Sequence, residues 1–145
     1  MAETATQQPR VRQLEGVEGI SANDRYYFGY QYGLGTSYIL PYLKSQGTPF
    51  KGKRICEIGC GESGVLAALA DEGTSYALGI DIRQEAIDRA EKIFGALGIT
   101  SEFKIHDVTN DPLPEAWRGQ FDLVVLRDVI EHLDATADSL KNVMD

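Results

Sequence analysis

The chain has 145 residues, of which 43% are hydrophobic and 25% charged, a composition suited to one globular domain with a single core. Its formal net charge of −8 opposes long-range attraction to phosphate backbones and anionic membranes, so a nucleic-acid or membrane partner is disfavoured. No apolar run reaches the roughly 20 residues of a membrane-spanning helix, and the opening "MAETATQQPR" lacks the apolar centre of a secretion signal.

Residues 1–20 are polar without a sustained period and read as a flexible N-terminal tail. Residues 21–50 read as an N-terminal helical extension, "NDRYYFGYQYGLGTSYILPYLKSQG". Six of the seven tyrosines fall between Tyr26 and Tyr42. Two short helices that pack these tyrosines onto the domain are the expectation; a lid over a pocket is the alternative. Pro41 implies a kink or a late helix start. Residues 51–145 form the remaining unit. "KRICEI" reads as a buried strand, followed by a glycine turn and the short helix "GVLAALADEG". "YALGID" is a second strand. "RQEAIDRAEKIFGALG" is an amphipathic helix with Ile87, Ala90, Phe94 and Leu97 on one stripe. "EFKIH" is a third strand, "DVTNDPLPEAWRGQ" a loop, "FDLVVL" a fourth strand and "VIEHLDATADSLKNVM" a crossover helix. Strand–helix alternation predicts an α/β fold, a Rossmann-like open parallel sheet with helices on both faces.

The turn after the first strand, "ICEIGCGESG", contains G-x-G-x-x-G at Gly59, Gly61 and Gly64. Ligands of open parallel sheets bind at the carboxyl ends of the strands, where glycines admit close approach. Asp81 ends the second strand 22 positions after Gly59, well placed to accept from ribose hydroxyls. An adenosine-type ligand follows. A dinucleotide would set its pyrophosphate against this turn, yet Glu57 and Glu62 flank it, and two carboxylates oppose that charge. A ligand presenting an ammonium or sulfonium suits the turn better. Cys56 and Cys60, four apart, suit neither a disulfide framework nor a zinc knuckle, and read as reduced thiols in a cytoplasmic protein.

"CEIGCGESG" resembles the E/D-x-G-x-G-x-G loop of class I S-adenosylmethionine-dependent methyltransferases. "ALGIDIRQEAIDRA", "IHDVTNDPLP" and "FDLVVLRDVIEHL" are similar to their next three motifs, in order, from Lys53 onward. The resemblance implies that chain's cofactor, S-adenosylmethionine, with S-adenosylhomocysteine as product. It also implies roles. Gly59, Cys60 and Gly61 pass close to the methionine portion. Glu57 acts near it through water or loop amides, with a buried acid capping those amides as the alternative. Asp81 holds the ribose and Ile82 packs on adenine. Asp107 accepts from the adenine amine beside Val108, with a turn-forming role as the alternative. Arg127 lies beside the cofactor after the fourth strand.

Asp128, Glu131 and His132 share one face if a helix begins at the fourth strand's end. Three readings stay open: a capping box with Asp128 as N-cap; Asp128 or His132 as a general base; and a divalent metal site. The last rests on similarity to the E-x-x-E-H of small-RNA 2′-O-methyltransferases and to a cluster in ubiquinone-pathway O-methyltransferases. The resemblance also implies seven strands in class I topology, whereas four are legible, in the order 3-2-1-4. The fourth would then be an exposed apolar edge, so a C-terminally truncated domain, a dimer or another covering segment is expected. The leading expectation is methyl transfer to an O or N nucleophile, with a small-molecule acceptor. A non-catalytic methyltransferase-like binding module acting through a partner is the second, and an NAD-linked oxidoreductase the third.

Overall fold

A computed structural model describes residues 8–127, 129–133 and 136–145. The elements run α1 (Pro9–Arg12), α2 (Ala22–Leu34), a π-helical segment (Gly35–Ile39), α3 (Leu40–Ser45), β1 (Arg54–Ile58), α4 (Gly64–Ala70), β2 (Tyr76–Asp81), α5 (Gln84–Leu97), β3 (Glu102–Ile105), β4 (Leu123–Leu126) and α6 (Thr136–Met144). Short 3-10 turns cover Glu115–Trp117 and Ile130–His132. The four strands form one parallel sheet in the order β3-β2-β1-β4. This is the expected Rossmann-like arrangement.

Strand parity sorts the core into two faces. Ile55 of β1, Ala77 of β2 and Phe103 of β3 face a cluster built with α1, α2, α4 and α5. Cys56 and Ile58 of β1 and Leu78 and Ile80 of β2 face the other side, where Trp117, Phe121 and Val143 of α6 pack. β1 lies between two partners and is buried from Ile55 to Ile58, whereas every residue of β4 is only half-buried. Among the described residues β4 is an open edge of the sheet.

α4 is buried from Gly64 to Leu69, so both of its sides are covered. The sheet covers one and α2 the other. Their approach is close. A Cβ on Gly64 would stand 2.4 Å from the carbonyl oxygen of Phe28 and 2.6 Å from the backbone nitrogen of Tyr32. The last glycine of the G-x-G-x-x-G pattern therefore serves contact between α4 and α2 rather than contact with a ligand.

The N-terminal region departs from the sequence reading. Residues 8–20 are not a loose tail: Val11, Leu14 and Ile20 are buried, Leu14 completely. Arg10 binds the Asp71 carboxylate and the Leu97 carbonyl oxygen, tying α1 to the domain. Residues 1–7 lie outside the described residues. The tyrosines are not packed inward either. Tyr26, Tyr27, Tyr30, Tyr38 and Tyr42 are exposed, and the contact face of α2 carries Phe28, Gly29 and Gln31 instead. Tyr32 is the exception, stacking on Phe28 and donating its hydroxyl to Asp71 at 2.6 Å. At Pro41 the helix neither stops nor restarts. The wider π-helical turn directly before α3 accommodates a residue with no N–H, whose ring would crowd the preceding turn of an α-helix.

The second departure follows β4. The sequence reading starts the crossover helix at residues 128–129, but Val129 has φ −121° and ψ −40°, a single 3-10 turn follows, and α6 begins at Thr136. α6 docks on the loop after β3. The Ser139 hydroxyl meets that of Thr109 at 2.8 Å, and the Asn142 amide donates to the Val108 carbonyl oxygen at 2.8 Å.

Gly64→Ala is expected to push α2 off α4 and cost about 1–3 kcal/mol of stability. Gly95, exposed on α5 with nothing near its missing Cβ, is the control: Gly95→Ala should stabilise by up to about 1 kcal/mol. Urea denaturation of both variants checks the pair.

Candidate functional site

The carboxyl ends of β1, β2 and β3 converge on a cavity of about 480 Å³. Its walls include Ile58, Gly59, Asp81, Ile82, Asp107 and Val108. The loop after β1 sets one side. Gly59 and Cys60 donate their N–H groups to the Ile80 carbonyl oxygen at 2.8 and 3.0 Å, which folds the loop back over β2. Gly59 has φ 69°, a left-handed conformation that favours glycine. The Val129 side chain packs into the space that a Cβ on Gly59 would need, so Val129 covers that face of Gly59. Ser63 takes φ 62° without being glycine and is completely buried, a strained residue fixed by its surroundings.

Asp81 is buried at the mouth of β2. One carboxylate oxygen accepts from the Gly61 N–H at 3.1 Å; the other accepts from the Arg83 N–H at 3.0 Å and from its guanidinium at 3.3 Å. A carboxylate has about four acceptor sites. One remains open, and withdrawal of the half-exposed Arg83 side chain frees another. Beside it Ile82 is 67% exposed, an apolar surface at the cavity's edge. Asp107 holds its own turn, accepting from Thr109 N–H at 2.9 Å, Asn110 N–H at 3.2 Å and the Asn110 amide at 2.8 Å. These donors, the Asn110 amide foremost, hold its carboxyl below the usual carboxylate range. His106, buried at the end of β3, lines the cavity and packs edge-on against Trp117.

Four of the anticipated cofactor residues do not line the cavity: Glu57, Cys60, Gly61 and Arg127. Gly61 reaches it indirectly through Asp81. The Cys60 thiol points into the core, and burial pushes it well above its ordinary range. Burial likewise pushes the Cys56 thiol up to about 12. Glu57 has the parity of Ile55, so it faces α4, 1% exposed, and accepts from the Leu66 N–H at 3.1 Å. Desolvation pushes its carboxyl up to about 8, opposed by the positive charge of Arg127 and by the Leu66 hydrogen bond. It therefore caps a helix amide, and near neutral pH it contributes little negative charge to the loop.

The acid–His cluster is not on a helical face. Glu131 and His132 occupy the 3-10 turn with exposed side chains, His132 78% so, and His132 Nε2 lies 3.9 Å from the Glu131 carboxylate. Asp128 lies outside the described residues. No group of three or more His, Cys, Asp or Glu side chains gathers around a common point among the described residues. The capping-box reading fails for Glu131, since no α-helix begins there. His132, Leu133 and Val129 do line the cavity.

Gln31 was not legible as part of this region. It is buried on α2, donates to the Glu62 carboxylate at 2.9 Å and accepts from the Gly64 N–H at 3.0 Å. A lone glutamine in a tyrosine-rich helix gives no sequence signal for that contact. Its consequence is chemical. Two N–H groups of the first turn of α4, Gly64 and Leu66, are already taken by Gln31 and Glu57. Two of the N–H groups that a pyrophosphate would use at this helix start are thus held by internal acceptors.

Glu57 makes stability depend on pH. Its folded value near 8 lies above the ordinary glutamate value of about 4.3. Its contribution is full below pH 4 and is lost as pH rises toward and through 8, by a few kcal/mol. Glu57→Gln keeps an acceptor for Leu66 and is expected to flatten that loss. Urea midpoints of both proteins between pH 5 and pH 9 check the slope.

Residues 56–145 match a family model described as a methyltransferase domain. Over 84 residues the chain is 30% identical to the ubiquinone biosynthesis O-methyltransferase of Neisseria meningitidis serogroup C (strain 053442), covering 57% of this chain and 34% of that protein. Over 107 residues it is 31% identical to the ribosomal protein L11 methyltransferase of Thermotoga neapolitana, covering 72% and 36%. The chain thus spans about a third of the length of the curated relatives it matches. The crystal structure of magnesium protoporphyrin IX methyltransferase from Synechocystis PCC 6803, with bound SAH, matches at a TM-score of 0.61 and 19% identity over 92% of this chain and 59% of that one, a likeness of fold. Because the matched span takes in the glycine loop and the ends of all three strands that wall the cavity, the chain belongs to the methyltransferase-domain family, in its class I, S-adenosylmethionine-dependent form.

Proposed function

We propose that this chain carries the cofactor-binding part of an S-adenosylmethionine-dependent methyltransferase acting on an O or N nucleophile of a small molecule. The observation that supports it most is the engagement of the Gly64 and Leu66 N–H groups of α4 by Gln31 and Glu57, while the cavity beside it offers the carboxylates of Asp81 and Asp107. Such a site suits a ligand with hydroxyl and amine donors and no phosphate. The apolar surfaces of Ile82, Val108 and Ile58 suit the faces of an adenine ring. Asp81 would accept from the ribose, Asp107 from the adenine amine, and Gly59 would give the methionine end its closest approach once Val129 shifts. When bound, S-adenosylmethionine supplies a methyl group on a sulfonium, reactive enough that the protein needs no nucleophile of its own. Glu57, Gly61 and Arg127 then shape the loop from beneath rather than touch the ligand.

His132, on the cavity wall, would take the acceptor's proton as methyl transfer proceeds, while Asp128, the other anticipated base, lies outside the described residues. Relatives named for ubiquinone biosynthesis and for a ribosomal protein do not fix the acceptor. The net charge of −8 favours a small molecule over a nucleic acid. Among the described residues no helix is long and apolar enough to cross a membrane, and the free thiols of Cys56 and Cys60 suit a cytoplasmic setting. The open edge of β4 is the place for a further strand, from the same chain or a second copy.

Isothermal titration calorimetry with S-adenosylhomocysteine and, in parallel, NADH tests the ligand. Binding of the first alone is expected, and Asp81→Asn should weaken it by about tenfold or more, since a charge-assisted acceptor is lost. Binding of NADH alone would overturn the proposal. His132→Gln is expected to leave S-adenosylhomocysteine affinity unchanged and to lower turnover by about 100-fold in a methylation assay with a competent acceptor.

A further inference from the structure

We propose that Gln31 is a positioning residue for the glycine loop, through which the N-terminal helix α2 controls ligand affinity in the cavity. The inference rests on the ligand reading above and extends it to a helix outside the matched span, which starts at residue 56.

The geometry is two-ended. Gln31 is 8% exposed and 33 residues from Gly64 in sequence. Its oxygen accepts from the Gly64 N–H, at the point where the loop becomes α4; its amide nitrogen donates to the Glu62 carboxylate, in the loop itself. A primary amide offers an acceptor and a donor on two separate atoms at one end of a side chain, which lets Gln31 serve both partners at once. A hydrophobic side chain would pack α2 equally well and would leave the Gly64 N–H buried without a partner. A glutamate would satisfy Gly64 and set a second carboxylate against Glu62.

Glu62 extends the link. Its other oxygen lies 3.8 Å from Arg89 on α5, which lies 3.7 Å from Asp24 on α2. Asp24, Arg89, Glu62 and Gln31 form a ring joining α2, α5 and the loop. The residue before Glu62 is Gly61, whose N–H binds the Asp81 carboxylate. A shift of Glu62 therefore reaches the carboxylate that would hold the ribose. Gln31 touches no ligand atom; it sets the loop in which Asp81 is aimed.

The test uses the full 145-residue chain. Gln31→Glu is expected to weaken S-adenosylhomocysteine binding by about tenfold or more, through the repulsion placed beside Glu62 and the loss of its donor. Gln31→Glu combined with Glu62→Gln exchanges donor and acceptor, and is expected to return affinity to within about threefold of the parent, as coupled contacts do. Backbone amide exchange of Gly61 to Val65, measured without ligand, should accelerate in the single variant and slow again in the double one. A merely structural role predicts no such rescue. The proposal is overturned if the single variant binds like the parent with unchanged loop exchange, or if the double variant is no better than the single one. Should the glutamate variant fail to fold, Gln31→Met, uncharged and of similar length, replaces it, with the same loss expected and parent-like binding and loop exchange overturning the proposal. If the parent itself does not bind S-adenosylhomocysteine, the ligand reading fails, whereas the exchange rates still decide the role of Gln31.

Discussion

One hydrogen bond sets the geometry of this end of the sheet: the buried Glu57 carboxyl accepting the Leu66 N–H. It fastens the first turn of α4 to the central strand β1. The chain between them, Gly59 to Ser63, must then turn back within five residues, and it does so with left-handed conformations at Gly59, Gly61 and Ser63. Burying a carboxyl costs more than one backbone hydrogen bond returns. The positive charge of Arg127 and a raised proton affinity share the remainder. A leucine at this position would satisfy the core and leave the helix start without its cap. The acid at the end of a buried strand is thus a structural device first, and its influence on any ligand passes through the loop it fixes.

The regular part of the fold was legible because each strand and helix there has one period and one environment. β1 and β2 are mostly apolar runs covered on both faces, and α5 carries a clean stripe ending at a left-handed Gly98. The misread parts have mixed determinants. Val11, Leu14, Val17 and Ile20 recur every three residues, a spacing that fits neither an α-helix nor a strand, and the segment buries all but the half-buried Val17 in one short helix and a series of turns. In α2 the abundant tyrosines suggest the packing face, but small residues permit closer approach than rings do. The contacts with α4 are made at Gly64, beside Phe28 and Tyr32, and at Gly35, beside Ala68, and five of the tyrosine rings are left outside. After β4, Asp128 to Glu131 has the spacing of a capping box, yet spacing alone does not supply the helix to be capped, and α6 starts later.

The site divides along the same line. Gly59 and Asp81 were legible because strand ends of a parallel sheet converge and their place is a matter of counting, whereas Ile82, Asp107 and Val108, which also line the cavity, were named through the family resemblance. Glu57 was recognisable as important but not in its direction. Strand parity decides that, and Glu57 shares its face with Ile55, away from the cavity. Val129 and Gln31 had no such signal. Each arrives from an element distant in sequence, and each matters by contact with a glycine of the loop.

The charge argument against a dinucleotide changes its basis in the structure. As read from the sequence, it counted two carboxylates near the turn. Glu57 loses most of that weight, since burial keeps it largely protonated near neutral pH, and Glu62 is engaged by Gln31 and lies near Arg89. What opposes a pyrophosphate is the disposition of donors. Helix-start binding of phosphate needs N–H groups aimed outward and unpaired. Here the Gly64 and Leu66 N–H groups point to acceptors of the protein, and the Gly61 N–H points to Asp81. To bind there, an anion would have to displace three internal hydrogen bonds and sit beside the Asp81 carboxylate. A ligand whose own groups donate meets no such conflict, because the Asp81 carboxylate on the cavity wall keeps an acceptor position open.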